Sequence, residues 1–417
     1  MRRRILSFGW VLFITFSFMT SCSQTTPKTA ILSEQATKEL ANLANQQTLI
    51  LNNHAEPMSV DPAHCTAGAC ARIIWQLYEG LTIMHPQTLQ PMPGVAKYWN
   101  VSPNGKVYTF HLRKNAKWSD DSFVTAKDFA YSWLRVLNPK TASRYAYIMY
   151  GIAGAKDYNS GKVKNAKQVG VQVVDDWTLE VTLENPMPYF PSLTSFFTFL
   201  PVKKSIFERH GENWSRPENN VSNGAFSLAS WEQHQSITLS PNPFYWDRKK
   251  VKLKQVVFLA TESQETALKH FLSGKAHYDR ELPVVKLPTL EARSDFKPAK
   301  QLAVYYFTIN VKHPVLQDKR VRKALSLAID RETITNKILK RGDSPASHFT
   351  PHVFPDYTPP KMVEFNPIRA RGELVKAGYI DPATFPELTI TYNTNESNKM
   401  IAEAVQSMWK EHLGIQV

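Results

Sequence analysis

The chain has 417 residues, 43% hydrophobic and 21% charged, enough apolar material for two or three folded domains, which excludes wholesale disorder. Its 50 Lys+Arg against 36 Asp+Glu give a net charge of +14, so nucleic-acid and membrane partners have to be weighed. With only 3 cysteines it is neither a disulfide-stapled miniprotein nor a multi-cysteine zinc scaffold.

The chain opens on Met1-Arg2-Arg3-Arg4 and an apolar run from Ile5 to Met19. That run is shorter than the roughly 20 residues that span a bilayer comfortably, and it reads as an export signal. Met19-Thr20-Ser21-Cys22 resembles a bacterial lipobox, so residues 1–21 are expected to be removed and Cys22 lipidated, with an ordinary cleavable signal as the alternative. Cleavage takes away three Arg and no acid, so part of the positive charge belongs to the signal. Residues 22–46 read as a tether with a short helix, and Thr48 to Asn53 as a first strand.

Cys65 and Cys70 follow in Asp61-Pro62-Ala63-His64-Cys65-Thr66-Ala67-Gly68-Ala69-Cys70. In an exported protein they are placed to close a small disulfide loop; two buried thiols are the alternative. A metal site with His64 has neither finger spacing nor a fourth ligand. From Arg72 to Leu81 the spacing of Ile73, Ile74, Leu77 and Tyr78 predicts a helix. Lys106 to Leu112 and Trp177 to Leu183 alternate as strands, and Thr125 opens a helix to about Leu137 with Phe129, Trp133 and Val136 inward. Asn223-Gly224 and Pro241-Asn242-Pro243 are turns.

Beyond Pro298 the pattern restarts. Val304 to Asn310 reads as a strand and Asp318 to Lys340 carries a helix; residues 342–360 are a proline-punctuated loop. Leu388 to Tyr392 reads as a strand, and a helix from about Asn398 is capped by Gly414. Ile415-Gln416-Val417 has the character of a strand beginning. The order argues α/β lobes with a β-rich insertion.

Catalytic motifs are missing: there is no Gly-x-Ser-x-Gly, His-Glu-x-x-His or Gly-x-Gly-x-x-Gly. The stretch from Gly154 to Gly161-Lys162-Val163 has the wrong spacing for a phosphate loop. His348 and His352 flank a proline without an accompanying acid, and Asp120-Asp121 reads as a turn. The basic residues are dispersed without interleaved aromatics, so no nucleic acid is expected.

Several segments together carry a resemblance. Tyr108-Thr109-Phe110-His111-Leu112-Arg113-Lys114-Asn115-Ala116-Lys117-Trp118-Ser119-Asp120-Asp121, leading into Val124-Thr125-Ala126-Lys127-Asp128-Phe129, closely resembles the hallmark segment of the oligopeptide-binding proteins that serve peptide ABC importers. Ser59-Val60-Asp61-Pro62, Tyr78-Glu79-Gly80-Leu81, Thr141 to Ala146, Asn223 to Phe226 and Asp318 to Arg331 match in the same order. The similarity runs from about Gln47 to Val417.

The resemblance implies an α/β clamshell of the type II periplasmic binding protein kind. Lobe I would take residues 47–79 and 204–302, an extra β-rich domain 80–203, and lobe II 303–417. It implies a monomeric, lipid-anchored receptor in the periplasm that holds an oligopeptide by its backbone and presents it to permease subunits, without cofactor or catalysis. Family contact positions map onto Thr66, Ala67 and Gly68, Tyr145, Asp279, Arg280, Tyr306, Asn393 and Asn398. Thr66 stands where relatives can carry an acid, and Asp279-Arg280 where they carry Tyr-Asn. Family members continue past Val417, which implies an incomplete second lobe, poor stability and weak or absent peptide binding for this chain alone. Two other readings stay open: a truncated, lipid-anchored surface interaction protein, and a secreted hydrolase.

Overall fold

The computed structural model describes residues 32–351 and 357–417; Cys22 and the expected signal lie outside them. Its strands are β1 (Thr48–Asn52), β2 (Thr82–Met84), β3 (Pro91–Pro93), β4 (Ala96–Val101), β5 (Val107–Leu112), β6 (Val171–Asp175), β7 (Thr178–Thr182), β8 (Phe226–Glu232), β9 (Ser236–Pro241) and β10 (Gln255–Leu259). The helices of nine residues or more are α1 (Glu34–Asn45), α2 (Gly68–Leu77), α3 (Ala126–Leu137), α4 (Gln264–Leu272), α5 (Lys319–Leu327), α6 (Pro367–Lys376) and α7 (Glu396–Leu413).

One sheet has the order β1-β10-β9-β8, and β1 pairs with β10 in parallel, Ile50 opposite Val257. The first strand thus lies beside a strand some 200 residues later, and everything between leaves and returns. A second sheet, β4-β5-β7-β6, is antiparallel throughout. In it Tyr108, Phe110 and Leu112 of β5 and Leu179 and Val181 of β7 are buried in alternation, as expected of a sheet with one face on a core. Helix α3 packs beside this sheet. Asp128 accepts from the Thr125 N–H at 2.8 Å, closing a capping box at its start.

The apolar interior falls into two clusters. One runs from Val60 to Phe258 and includes the fully buried Trp118, Phe129, Trp133 and Trp214. The other runs from Val284 to Ile415 around α5, α6 and α7. The hallmark segment belongs to the first: Phe110, Ala116, Trp118 and Phe129 are core, and Arg113 lies 3.8 Å over the ring of Trp246.

Some elements differ from the sequence reading. Helix α2 begins at Gly68 rather than Arg72 and stops at Leu77. Ala67 offers no capping side chain to announce the start, and Tyr78 is already extended. The turn that follows is close-packed: a Cβ on Gly80 would sit 2.4 Å from the Thr194 oxygen. The helix expected over 318–340 is broken. α5 ends at Leu327, and just beyond it Arg331 donates from its side chain to the Ser326 and Ile329 oxygens. A π-helix, Thr333–Leu339, follows, capped at Thr333 by Asp330. The strands expected over 304–310, 388–392 and 415–417 are not formed. Their β-branched and aromatic residues suit a pleated surface, but no described strand lies alongside to complete a ladder. The Leu388 N–H does donate to the Gln416 oxygen at 3.2 Å, joining two of these segments at a single point among the described residues.

Candidate functional site

A pocket of about 290 Å³ opens where α2 starts, lined by Thr66, Ala67, Gly68, Ala71, Arg72, Trp75, Tyr145, Phe196, Phe197 and Arg280. Its floor follows from helix geometry. Gly68, Ala71, Arg72 and Trp75 are spaced i, i+3, i+4, i+7 and share one face of α2, while Ile73, Ile74 and Leu77 bury the other. Two small residues at the start of that face leave room; Trp75 closes the far end, its indole N–H donating to the Ser195 oxygen at 3.1 Å.

The loop entering α2 is tied at three points. Asp61 receives both terminal nitrogens of Arg135 from α3, with side chains only 5% and 8% exposed. Cys65 and Cys70 are joined by a disulfide. The Tyr145 hydroxyl donates to the Thr66 oxygen at 3.2 Å. Thr66, Ala67 and Gly68 thus present backbone groups from a fixed segment. Tyr145 also packs its ring against Phe196 and Phe197, with centroids at 6.1 and 5.9 Å, which makes an aromatic wall. Burial raises its phenol pKa, with Tyr147 and Tyr306 adding to the effect.

The charged side of the pocket is held by Arg72 and Arg280. Arg72 donates from Nε to Asn53 Oδ1 at 2.9 Å and from Nη2 to the Asn53 oxygen at 2.6 Å. Burial lowers its pKa, and the like charge of Arg280 lowers it further, against the opposing influence of Glu281 and Tyr278. Among the described residues the carboxylate oxygen beside Arg280 is Glu281 Oε1, 3.9 Å from Nε.

Of the residues expected at the site, Thr66, Ala67, Gly68, Tyr145 and Arg280 meet at this pocket. Asp279 does not. Its carboxylate is 1% exposed and lies 2.7 Å from His54 Nε2, so the side chain faces the interior. Tyr306 is outside the lining, exposed, with its ring 5.1 Å from that of Phe349. Asn398 donates to Asn393 at the start of α7, away from the pocket lining. Their neighbour Asn395 reaches across, donating to Glu281 Oε2 at 3.3 Å, so the start of α7 sits beside the segment carrying Arg280. Arg72, Trp75, Phe196 and Phe197 were not anticipated. For Arg72 and Trp75 the signal was present: they fall on the face of α2 opposite its apolar stripe.

The chain matches the family described as bacterial extracellular solute-binding proteins, family 5, over residues 90–417. It belongs to that family. It is 40% identical over 391 residues to the periplasmic oligopeptide-binding protein OppA of Salmonella typhimurium, covering 90% of this chain and 70% of that relative. It is 38% identical to the periplasmic murein peptide-binding protein MppA of Escherichia coli, covering 90% and 71%. Among solved structures, OppA of Burkholderia pseudomallei superposes with a TM-score of 0.83 at 34% identity, over 90% of this chain and 75% of that one. OppA of Haemophilus influenzae, in complex with RPPGFSPFR, superposes at 0.81 and 34% identity, over 89% and 75%. The fold is therefore the α/β clamshell of type II periplasmic binding proteins. Among the described residues no helix is long and apolar enough to cross a membrane.

Proposed function

We propose that this solute-binding protein captures oligopeptides in the cleft beside α2 and hands them to the permease of an ABC importer. The observation that carries the reading is the pocket itself. A fixed backbone segment, Thr66-Ala67-Gly68, faces an aromatic wall of Tyr145, Phe196 and Phe197. Main-chain groups offered in this way hold a peptide whatever its sequence, and the adjoining pocket takes a side chain. The peptide names of the relatives and the bound RPPGFSPFR of one of them point the same way. Tyr306, Asn393 and Asn398 are proposed to face the ligand from the opposite wall; the influence of Tyr306 on Tyr145 and the Asn395–Glu281 contact support that placement.

The proposed division is lobe I at 47–79 and 204–302, the extra domain at 80–203 and lobe II at 303–417. The parallel pairing of β1 with β10 supports the two-part lobe I, and the separate core around α5 to α7 supports lobe II. The mature protein is proposed to be a periplasmic monomer, held on a cell membrane through acylated Cys22, that binds without turnover. The resemblance implied weak or absent binding for the chain alone, but the formed pocket argues for capture; calorimetric titration of the purified chain with tripeptides tests it, and one-to-one saturable binding without cleavage is expected. Mass spectrometry of the N-terminal fragment tests the anchor: an unmodified Cys22 in the mature chain removes it.

A further inference from the structure

The Arg72–Arg280 side of the pocket has more positive charge than its own carboxylates answer. Arg72 uses Nε and Nη2 on Asn53, while Nη1 points to Gly68, where a Cβ would be 3.2 Å away, and makes no hydrogen bond among the described residues. Arg280 makes no hydrogen bond there either, and its contact with Glu281 is a 3.9 Å approach rather than a fork-to-fork pair. Glu281 is the acid that acts on both arginines and also accepts from Asn395, so one carboxylate faces two guanidiniums. Asp279 is turned away against His54. The opening turn of α2 has no side-chain cap at Ala67, which leaves its N–H donors and the positive end of the helix at the same place.

We propose that this corner is an anion subsite, and that the chain prefers peptides bearing a carboxylate that seats between Arg72 and Arg280. The inference rests on the peptide-capture reading and narrows it to acidic ligands. Two guanidiniums in a half-buried wall leave a lysine side chain with no partner and a repulsion to overcome, whereas a carboxylate gains charge-assisted hydrogen bonds from donors already in position. Trp75 beside Arg72 on α2 and the aromatic wall of Tyr145, Phe196 and Phe197 line the same pocket, and an ion pair in such less polar surroundings is stronger. The carboxylate has two sources in a peptide, an acidic side chain or the chain terminus.

The test is titration calorimetry of the purified chain with Ala-Glu-Ala, Ala-Gln-Ala and Ala-Lys-Ala, each as free acid and as C-terminal amide. Ala-Glu-Ala acid is expected to bind about tenfold more tightly than Ala-Gln-Ala amide. A loss on replacing Glu by Gln assigns the side chain, and a loss on amidation assigns the terminus; either supports the subsite. In Arg280→Gln the ratio is expected to fall towards one, and in Arg280→Glu to invert in favour of Ala-Lys-Ala amide. A salt titration of the unaltered chain reads the same property without a variant, because the preference must shrink as screening increases. Equal affinity across the series, or a preference that salt and Arg280→Glu leave unchanged, overturns the subsite and leaves peptide capture standing. No binding by any member overturns both.

Discussion

The hydroxyl of Tyr145 donates to the main-chain oxygen of Thr66 at 3.2 Å, fastening an aromatic residue that follows α3 to the loop that opens α2. The bond sets both the wall and the floor of the pocket, so its removal is expected to act on binding more than on folding. Tyr145→Phe keeps the ring against Phe196 and Phe197 and should cost about 1 kcal/mol of stability, the net value of one such bond. Tyr145→Ala, which also removes the wall, should lose peptide binding. Paired denaturation and binding curves for the two variants check this.

A second tie is the pair Arg135–Asp61, buried at 8% and 5% exposure, with Arg135 also 4.3 Å over the ring of Phe207. Arg135→Met strips the buried Asp61 carboxylate of its guanidinium, leaving the Ala63 N–H and the more distant His64, and should cost about 3 kcal/mol. Adding Asp61→Asn should recover part of that loss, because the stranded charge is then gone. A double-mutant cycle in urea measures the coupling; additive losses would show the two side chains to be independent.

The amphipathic elements were legible from local pattern. β5, β7 and α3 follow their apolar periods because each buries one face, and Gly414 caps α7 in the left-handed conformation at φ 73°. The break after Leu327 was not legible, since Val321 to Ile338 keeps a helical apolar period across it and the polar contacts of Asp330 and Arg331 are what interrupt the ladder. Strands were expected at 304–310 and 388–392 from their β-prone composition and did not form, because pairing depends on neighbours distant in sequence. At the pocket, Thr66, Ala67, Gly68, Tyr145 and Arg280 came from the family resemblance rather than from local pattern. Phe196 and Phe197 come from a segment with no periodic signal, and only the fold brings them to Tyr145.

Glu79 gives a pH dependence of definite sign. It is buried beside Asn223 and accepts from the Tyr245 hydroxyl and, at 2.7 Å, from the Trp246 indole. Burial raises its pKa from 4.5 to about 7, with those hydrogen bonds opposing the shift. The folded state therefore holds a proton that the unfolded chain has already released, and stability falls as pH rises from about 4.5 to about 7, then levels. The loss is on the order of 3 kcal/mol. Asp128, also raised by burial, contributes in the same direction, so the difference between the natural chain and Glu79→Gln isolates Glu79. Denaturation midpoints at pH 5 and pH 8 should move less in Glu79→Gln; an unchanged pH slope would contradict the assignment.

The Cys65–Cys70 disulfide closes a short loop at the mouth of the pocket. Replacing both cysteines by serine should cost on the order of 2 kcal/mol and loosen Thr66 to Gly68. Peptide affinity should fall in the double variant and in the reduced natural chain alike. Unaltered affinity in both would remove the loop from the binding account.

The most direct measurement fills the pocket. A Cβ on Gly68 meets only Nη1 of Arg72, the guanidinium nitrogen not bonded to Asn53, at 3.2 Å, so Gly68→Phe should fold while placing a ring where the ligand would sit. Titration calorimetry of the natural chain and of Gly68→Phe with the same acidic tripeptide compares them directly. The account predicts saturable one-to-one binding for the natural chain, at whatever affinity, and none for a Gly68→Phe protein whose circular dichroism is unchanged. A flat titration for the natural chain, or equal binding by both proteins, would contradict it.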